Sequence, residues 1–146
     1  MILHQDPEDA PMVDLAPPIR RMCQIEWAVE DGSMQKLLLR LDSVLLPSWR
    51  TVLLCEAARC LLRGGLSAGF SPRGRELGVH LWRASSLEAI LLLADDGDIL
   101  AGEPATADAA RARFFAAQAD CRLIWVPARG AVWRIHIPLL DQEAGS

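Results

Sequence analysis

An unbroken apolar segment, residues 89–94, constrains the fold of this chain more than any other feature. It reads Ala-Ile-Leu-Leu-Leu-Ala and runs into an acidic turn, Asp95-Asp96-Gly97-Asp98. The run is far shorter than the roughly 18 residues that span a bilayer, and its lack of alternation is typical of a strand buried on both faces. We therefore predict a strand over 87–94 at the centre of a sheet, joined to a strand over 76–83 by the short connection 84–86.

The remaining elements are arranged around this hairpin. Hydrophobic periodicity and turn residues predict helices over 14–30, 47–63 and 106–118, a strand over 35–43, a loop over 66–74 and a second hairpin over 121–138. Strands grouped in hairpins with helices between them indicate an α+β fold. We expect a two-layer sandwich, in which helices cover one face of a mixed, mostly antiparallel sheet. Residues 14–140 form this domain, with a flexible N-terminal segment over 1–13 and a tail over 141–146.

Turn and capping residues fix the predicted ends of the three helices. Asp14 is placed to cap the first helix, and either Thr106 or Asp108 to cap the third. Pro47 suits the first turn of the second helix, because its missing N–H costs nothing there, and Gly64-Gly65 is a stop signal.

Two faces of the second helix carry different chemistry. Glu56, Cys60 and Arg63 are spaced four and three apart and therefore share one face. That face either lines a site or is a solvated surface on which Glu56 pairs with Arg59 and Arg63. The neighbouring apolar stripe, expected to face the core, consists of Trp49, Val52, Leu53, Ala57 and Leu61.

Composition excludes several classes of protein. The chain of 146 residues is 51% hydrophobic and has a formal net charge of −4, which argues against a disordered chain and against a dedicated nucleic-acid binder. The acidic N-terminus lacks the apolar stretch of a signal peptide, and the four cysteines form no C-x-x-C pair. We expect a cytoplasmic protein without a membrane segment, whose cysteines are small buried apolar residues.

The element order, with a Glu-bearing helix after the first strand and an Asp-Asp-Gly turn after the central hairpin, resembles the ATP-binding domain of histidine kinases. This is the GHKL or Bergerat ATPase fold, and the greatest likeness is to the HWE-type sensor kinases. Their helix motif, His-Glu-Leu-x-Thr-Asn-Ala-x-Lys-Tyr-Gly-Ala, is matched by Cys55-Glu56 through Gly65-Leu66-Ser67. Their Asp-x-Gly-x-Gly adenine-binding turn aligns with Asp95-Asp96-Gly97-Asp98-Ile99, and their Leu-Pro-Leu ending with Ile137-Pro138-Leu139.

The resemblance implies roles for five residues. Glu56 stands at the position of the general base, which here is vestigial, and Asp95 and Gly97 stand where the family binds adenine. Arg63 matches the family's basic residue in type and is expected to approach a phosphate. Cys60 occupies the position of the asparagine that carries the bridging metal. ATP or ADP is therefore the implied cofactor.

Three departures weaken the half of the site that binds phosphate and metal. A soft thiol at Cys60 is a poor substitute for the oxygen ligands of Mg²⁺. Ile99 replaces the second glycine of the adenine-binding turn. Residues 98–113 contain a single glycine, Gly102, where the family has a glycine-rich lid. No phosphoacceptor histidine is expected, because His4 lies in the terminal segment and His80 and His136 lie in predicted strands.

These features favour a degenerate ATP-binding domain of bacterial signal transduction, with weak or no nucleotide binding, no bound metal and no autonomous phosphotransfer. The alternative is a non-enzymatic interaction module on the same fold, a signalling adaptor or an anti-sigma-like regulator. An active kinase that tolerates Cys60 is the least favoured hypothesis. The expected partner is a signalling protein, neither nucleic acid nor membrane is expected, and a homodimer through the first helix is left open.

Overall fold

The computed structural model of the chain describes residues 11–29, 36–64, 76–95, 103, 105–127 and 131–139. These residues form seven strands and three helices. In chain order they are β1 (Met12–Asp14), α1 (Ala16–Val29), β2 (Lys36–Leu41), β3 (Leu45–Pro47), α2 (Ser48–Gly64), β4 (Glu76–Ser85), β5 (Glu88–Asp95), α3 (Ala107–Gln118), β6 (Arg122–Pro127) and β7 (Ala131–Pro138). None of the described helices combines the length and the apolar character that crossing a membrane requires.

Five strands form one sheet in the order β2-β4-β5-β7-β6. The pair β2 and β4 is parallel, and its crossover contains α2, whereas the other pairs are antiparallel. The apolar segment 89–94 lies in β5, which is the central strand of the sheet, as predicted. The mixed, mostly antiparallel sheet with helices packed on it confirms the predicted fold class.

The helices pack on one face of this sheet, and the core lies between the two layers. Side chains of alternate strand residues point into it, which is why β4 buries every second residue from Leu77 to Leu81. Leu91 and Leu93, two fully buried leucines of β5, belong to the same cluster as Leu54 and Leu62 of α2. Burying large aliphatic side chains of this kind contributes about 1.5–3 kcal/mol each.

Asp14 fastens the N-terminal strand to the domain. Its Oδ1 accepts hydrogen bonds from the backbone N–H groups of Ala16 (3.0 Å) and Val44 (3.1 Å), and its Oδ2 accepts one from the Ser43 hydroxyl (2.9 Å). The bond from Ala16 caps α1 as predicted. Burial raises the pKa of Asp14, but the three hydrogen bonds together outweigh it, so the net shift of the pKa is downward.

Two short strands were not predicted. β1 and β3 pair with each other, Val13 opposite Leu46, and the Ser48 N–H extends the pairing to the Pro11 carbonyl at 2.9 Å. Met12 and Val13, which the sequence assigned to the flexible segment, are thus hydrogen-bonded here, while residues 1–10 and 140–146 lie outside the described residues. Pro47 ends β3 instead of occupying the first turn of α2, so the helix begins one residue later than predicted.

A buried arginine joins three elements at the start of α2. Arg50 is only 2% exposed; its Nε donates to the Ala119 carbonyl at 2.9 Å and its Nη1 to the Pro138 carbonyl at 2.8 Å. Its Nη2 lies 3.5 Å from the Cys121 sulfur. Arg50 therefore ties α2 to the end of α3 and to the end of β7 through backbone acceptors.

The predicted apolar stripe of α2 is wrong in part. Ala57 and Leu61 are buried as expected, but Val52 is 63% exposed, and Arg50 and Thr51 are buried in its place. The physical reason is that α2 packs on the sheet, on α1 and on α3 at once, so its buried surface is wider than one stripe.

Candidate functional site

The C-terminal half of α2 carries the candidate site. Glu56 forms an ion pair with Arg59 one turn later, with 3.1 Å between Nη1 and Oε1. Arg63 instead reaches Glu26 on α1 through two bonds, Nε to Oε1 at 2.8 Å and Nη2 to Oε2 at 3.2 Å. The solvated-surface interpretation thus holds for Arg59, whereas Arg63 clamps α1 to α2 in the bidentate geometry that a guanidinium favours.

Cys60 lies between the two other predicted residues of this face and is covered by α3. It is 8% exposed, and Arg111 and Asp108 of α3 are its polar neighbours. Burial raises the pKa of the Cys60 thiol, and a hydrogen bond with Arg111 only partly opposes this. The thiol is therefore protonated at neutral pH.

Asp108 and Arg111 form an ion pair one helical turn apart, with 2.7 Å between Oδ1 and Nη2. Asp108 also packs against the end of α2, because a Cβ built on Gly64 would lie 3.1 Å from the Asp108 Cβ. Glycine at position 64 is thus what allows the first turn of α3 to approach α2 so closely. Side chains of α3 therefore cover the side of α2 that carries Cys60.

The sequence explains why α3 begins at this point. Thr106 is the N-cap, and its hydroxyl accepts the Ala109 N–H at 3.0 Å, as one of the two predicted caps. Asp108 sits in the first turn, where a carboxylate is favourable for the helix dipole. Ala109, Ala112 and Ala116 form the buried face, and their small side chains permit close packing on α2.

Asp95 closes the central strand beneath the helices. It is the last residue of β5, lies opposite Leu77 of β4 and is 6% exposed. By the alternation of β5, its carboxylate points to the helix-covered face of the sheet. The other predicted members of this turn, Asp96, Gly97, Asp98 and Ile99, lie outside the described residues, as do Gly65, Leu66, Ser67 and Gly102.

The structure thus places Glu56, Cys60 and Arg63 on α2, whereas Asp95 is at the end of β5. Sequence reasoning missed Arg111 and Glu26, and it considered Asp108 only as a cap. The spacing of Asp108 and Arg111, three residues apart on a predicted helix, indicated an ion pair but not its position over Cys60.

The cysteines and histidines add no further reactive group to the site. Burial raises the pKa of Cys23 to about 12 and those of Cys55 and Cys121 to about 11. Among the described residues, no group of three or more His, Cys, Asp or Glu side chains is arranged to hold a metal ion. His80 and His136 lie in β4 and β7, as predicted, and His136 Nδ1 is 3.2 Å from Glu88. His4 lies outside the described residues.

The residues present at the Cys60 position do not fit Mg²⁺. This ion requires near-octahedral oxygen ligands, and Cys60 offers a protonated, soft sulfur. The neighbouring guanidinium of Arg111 repels a cation, and Asp108, the nearest carboxylate, is already paired with it.

Solved structures resemble this fold, whereas no protein-family model and no curated protein matches the sequence. A histidine kinase domain from the Erythrobacter litoralis EL346 blue-light-activated histidine kinase matches with a TM-score of 0.69 at 17% identity, over 88% of this chain and 64% of that one. The longer EL346 structure gives a TM-score of 0.74 at 17% identity, over 89% of this chain and 47% of that one. The chain thus spans half to two thirds of these two proteins.

Two further kinases match. The mycobacterial sensor histidine kinase MprB has a TM-score of 0.62 at 16% identity, over 88% of this chain and 97% of that one. The Acinetobacter baumannii histidine kinase AdeS has a TM-score of 0.69 at 14% identity, over 89% and 67% of the two chains. The chain therefore has the fold of a histidine kinase catalytic domain, the histidine-kinase-like ATPase fold.

Proposed function

We propose that this chain is a histidine-kinase-like ATP-binding domain that has lost the metal-dependent half of its nucleotide site. It binds ATP or ADP weakly at most, does not use Mg²⁺ and has no autonomous phosphotransfer. Its role is in bacterial signal transduction in the cytoplasm, through a signalling protein partner. The signalling role is inferred from the blue-light-activated and sensor histidine kinases that share the fold.

The observation that carries the proposal is the covering of Cys60 by Asp108 and Arg111. A bridging metal needs an oxygen ligand on α2 and open space beside it for phosphate. Here the ligand position holds a protonated thiol, and the first turn of α3 contacts α2 at Gly64. A triphosphate at this place would meet the Asp108 carboxylate, and like charges at close range oppose its binding.

The residual nucleotide affinity is assigned to Asp95. A carboxylate at the end of the central strand is an acceptor suited to the exocyclic amino group of adenine, and its burial beneath the helices gives it the low-dielectric surroundings in which such a hydrogen bond is strong. Glu56 has no part in a reaction under this proposal, because Arg59 holds it in an ion pair.

Calorimetric titration tests the dependence on metal and the adenine contact of Asp95 separately. We expect ATP and ADP to bind equally weakly, with millimolar dissociation constants, and addition of Mg²⁺ to leave the affinity unchanged. The Asp95→Asn variant is expected to lose the residual heat, whereas Asp42→Asn, an exposed control directly after β2, is expected to retain it.

Two outcomes contradict the proposal. An ATP affinity that rises tenfold or more with Mg²⁺ means that the metal half is intact. Hydrolysis of radiolabelled ATP above background, lost in Glu56→Gln, means that Glu56 is a working base.

A further inference from the structure

The three described helices all pack on one face of the five-stranded sheet, and the second face presents an apolar row that crosses every strand. The row joins residues paired in register, one from each strand: Leu38, Gly78, Ala94, Val132 and Val126. Leu38 is 47% exposed although it is a large aliphatic side chain. We call this second face, defined by the row and its neighbours on the same side, the open face.

The middle of the row is a depression. Gly78 and Ala94, the residues with the smallest side chains, lie directly opposite each other. The larger residues Leu38 and Val132 lie on the flanking strands. Among the described residues, a Cβ built on Gly78 would meet only the Ala94 carbonyl oxygen, at 3.8 Å, so these residues leave the space above the glycine open. The flanking strands are three spacings of about 4.8 Å apart, which gives a depression about 14 Å wide, comparable to the diameter of a helix.

Glycine in an interior strand weakens the sheet, and it often marks a position that another chain approaches closely. Gly78 has neither a positive φ nor a turn to explain it, because it lies inside the ten-residue strand β4. A glycine at this place leaves room for another chain to approach the open face closely.

The rim of the depression is basic. Arg40 follows Leu38 by two residues and Arg134 follows Val132 by two, so both guanidinium groups stand beside the apolar row on the same face. Arg122 of β6 lies farther along this side, and none of the three forms an ion pair with another described residue. Lys36 is paired with Glu76 at 3.9 Å and His136 with Glu88 at 3.2 Å. Within the five described strands, the charged residues of this face that lack an ion pair are thus all positive, on a chain whose net charge is −4.

We propose that the open face docks an acidic amphipathic segment of a partner protein. An apolar side chain of the partner seats in the depression over Gly78 and Ala94, and flanking carboxylates pair with Arg40 and Arg134. A small apolar centre with a charged rim is the arrangement that protein interfaces use for affinity and for orientation. The inference is independent of nucleotide binding, since the open face lies on the opposite side of the sheet from α2 and Asp95.

The charge of the face selects this occupant over two others. A second copy of the chain would bring Arg40 and Arg134 against their own equivalents, which like-charge repulsion disfavours. Single-stranded nucleic acid binds sheets mainly by stacking on aromatic rings. The middle of this face is aliphatic, and Trp82, with its ring 4.5 Å from that of His80, stands to one side.

The test uses the full chain and two fluorescent helical peptides of about 18 residues. Both carry the same leucine stripe, but one has glutamates and the other has lysines on its flanks. Fluorescence anisotropy is expected to show binding of the glutamate peptide at least tenfold tighter than that of the lysine peptide. The difference is expected to shrink as NaCl is raised from about 50 to about 500 mM, because salt screens the rim charges.

Matched variants locate the binding. Gly78→Val fills the depression and is expected to weaken binding of the glutamate peptide at least tenfold. The melting temperature of the variant protein is expected to stay the same or rise, since valine favours strands. Gly78→Ala is the smaller version of the same change. Arg40→Glu is expected to weaken the peptide to a similar extent, whereas Arg20→Glu, an exposed arginine on α1, is expected to leave it unchanged.

Four results overturn the proposal. They are equal affinity for the two peptides, an unchanged affinity in Gly78→Val, displacement of the glutamate peptide by an oligothymidylate, and a wild-type dimer in analytical ultracentrifugation that Gly78→Val dissociates. The first two results would mean that the open face does not bind an acidic segment. The last two would mean that it binds nucleic acid or a second copy of the chain. In the nucleotide titration described above, Gly78→Val is expected to behave as the wild type, so failure here is distinct from failure of the proposed function.

Discussion

Arg50 offers the sharpest test of how this domain is held together. Methionine at this position retains most of the apolar stem but removes all the donors that reach Ala119, Pro138 and Cys121. Two backbone carbonyls then lose their charged partner, and each buried acceptor left unsatisfied costs about 1–3 kcal/mol.

Part of this loss is offset. A buried guanidinium carries a desolvation penalty that Arg50→Met no longer incurs, and replacing buried charges by apolar groups is therefore less costly than the sum of their bonds. The bond to the Cys121 sulfur is long and contributes little. We expect a net decrease of about 3 kcal/mol in the free energy of unfolding, as for other changes that break a buried charged network.

Urea denaturation followed by tryptophan fluorescence measures this difference. The matched control is Arg59→Met on the same helix, which loses only its exposed pair with Glu56 and is expected to cost less than about 1 kcal/mol. The slope of the free energy against urea should not change, because both variants expose the same surface on unfolding. An Arg50→Met protein within 1 kcal/mol of the wild type, or one no less stable than Arg59→Met, would refute the structural role of Arg50.

Three further expectations concern stability and thiol reactivity. The pKa of Asp14 is lowered in the folded state from its usual 3.8. The stabilisation that its carboxylate provides is therefore present above that pH and is lost as the pH falls through the lower folded pKa. In thermal melts, Asp14→Asn should be less stable than the wild type by about 1 kcal/mol at neutral pH, and this difference should close in acid. A gap that does not narrow as the pH falls below 3.8 would contradict this sign. The pKa values of Cys55 and Cys121 are raised to about 11 from 9.0. At pH 8, their alkylation by iodoacetamide, followed by mass spectrometry, should therefore be about 100-fold slower in the folded chain than in urea. Equal rates would mean that neither thiol is buried. Asp120 has a φ of 59°, which glycine adopts without strain, so Asp120→Gly should raise the free energy of unfolding by up to about 1 kcal/mol, whereas Asp120→Val should lower it.

The sequence predicts those parts of the fold that depend on local patterns. The apolar run identified β5 as central, because a strand with neighbours on both sides in a sheet favours such a run more than an edge strand does. Thr106 and Asp14 identified two helix starts, since a cap acts within three residues. Short-range chemistry therefore explains most of the element order.

The features that the sequence did not reveal depend on partners distant in the chain. The partners of Arg50 are backbone carbonyls 69 and 88 residues away, and carbonyls carry no sequence signature. β1 and β3 are three residues each and have no periodicity of their own; only their mutual pairing makes them strands. The same limit applies to the candidate site, where Asp108 and Arg111 meet Cys60 only because Gly64 lets α3 approach α2.

The strand order has a consequence for how the protein is made. β7, the last of the described strands, lies between β5 and β6, and β6 is hydrogen-bonded to β7. While the ribosome is still synthesising residues 131–138, β6 lacks its pairing partner, and the edge of the apolar strand β5 remains uncovered. Because an exposed apolar edge is a template for pairing between chains, this interval is when the nascent protein is most exposed to misassembly. Truncation before β7 should therefore yield an aggregating chain instead of a smaller domain.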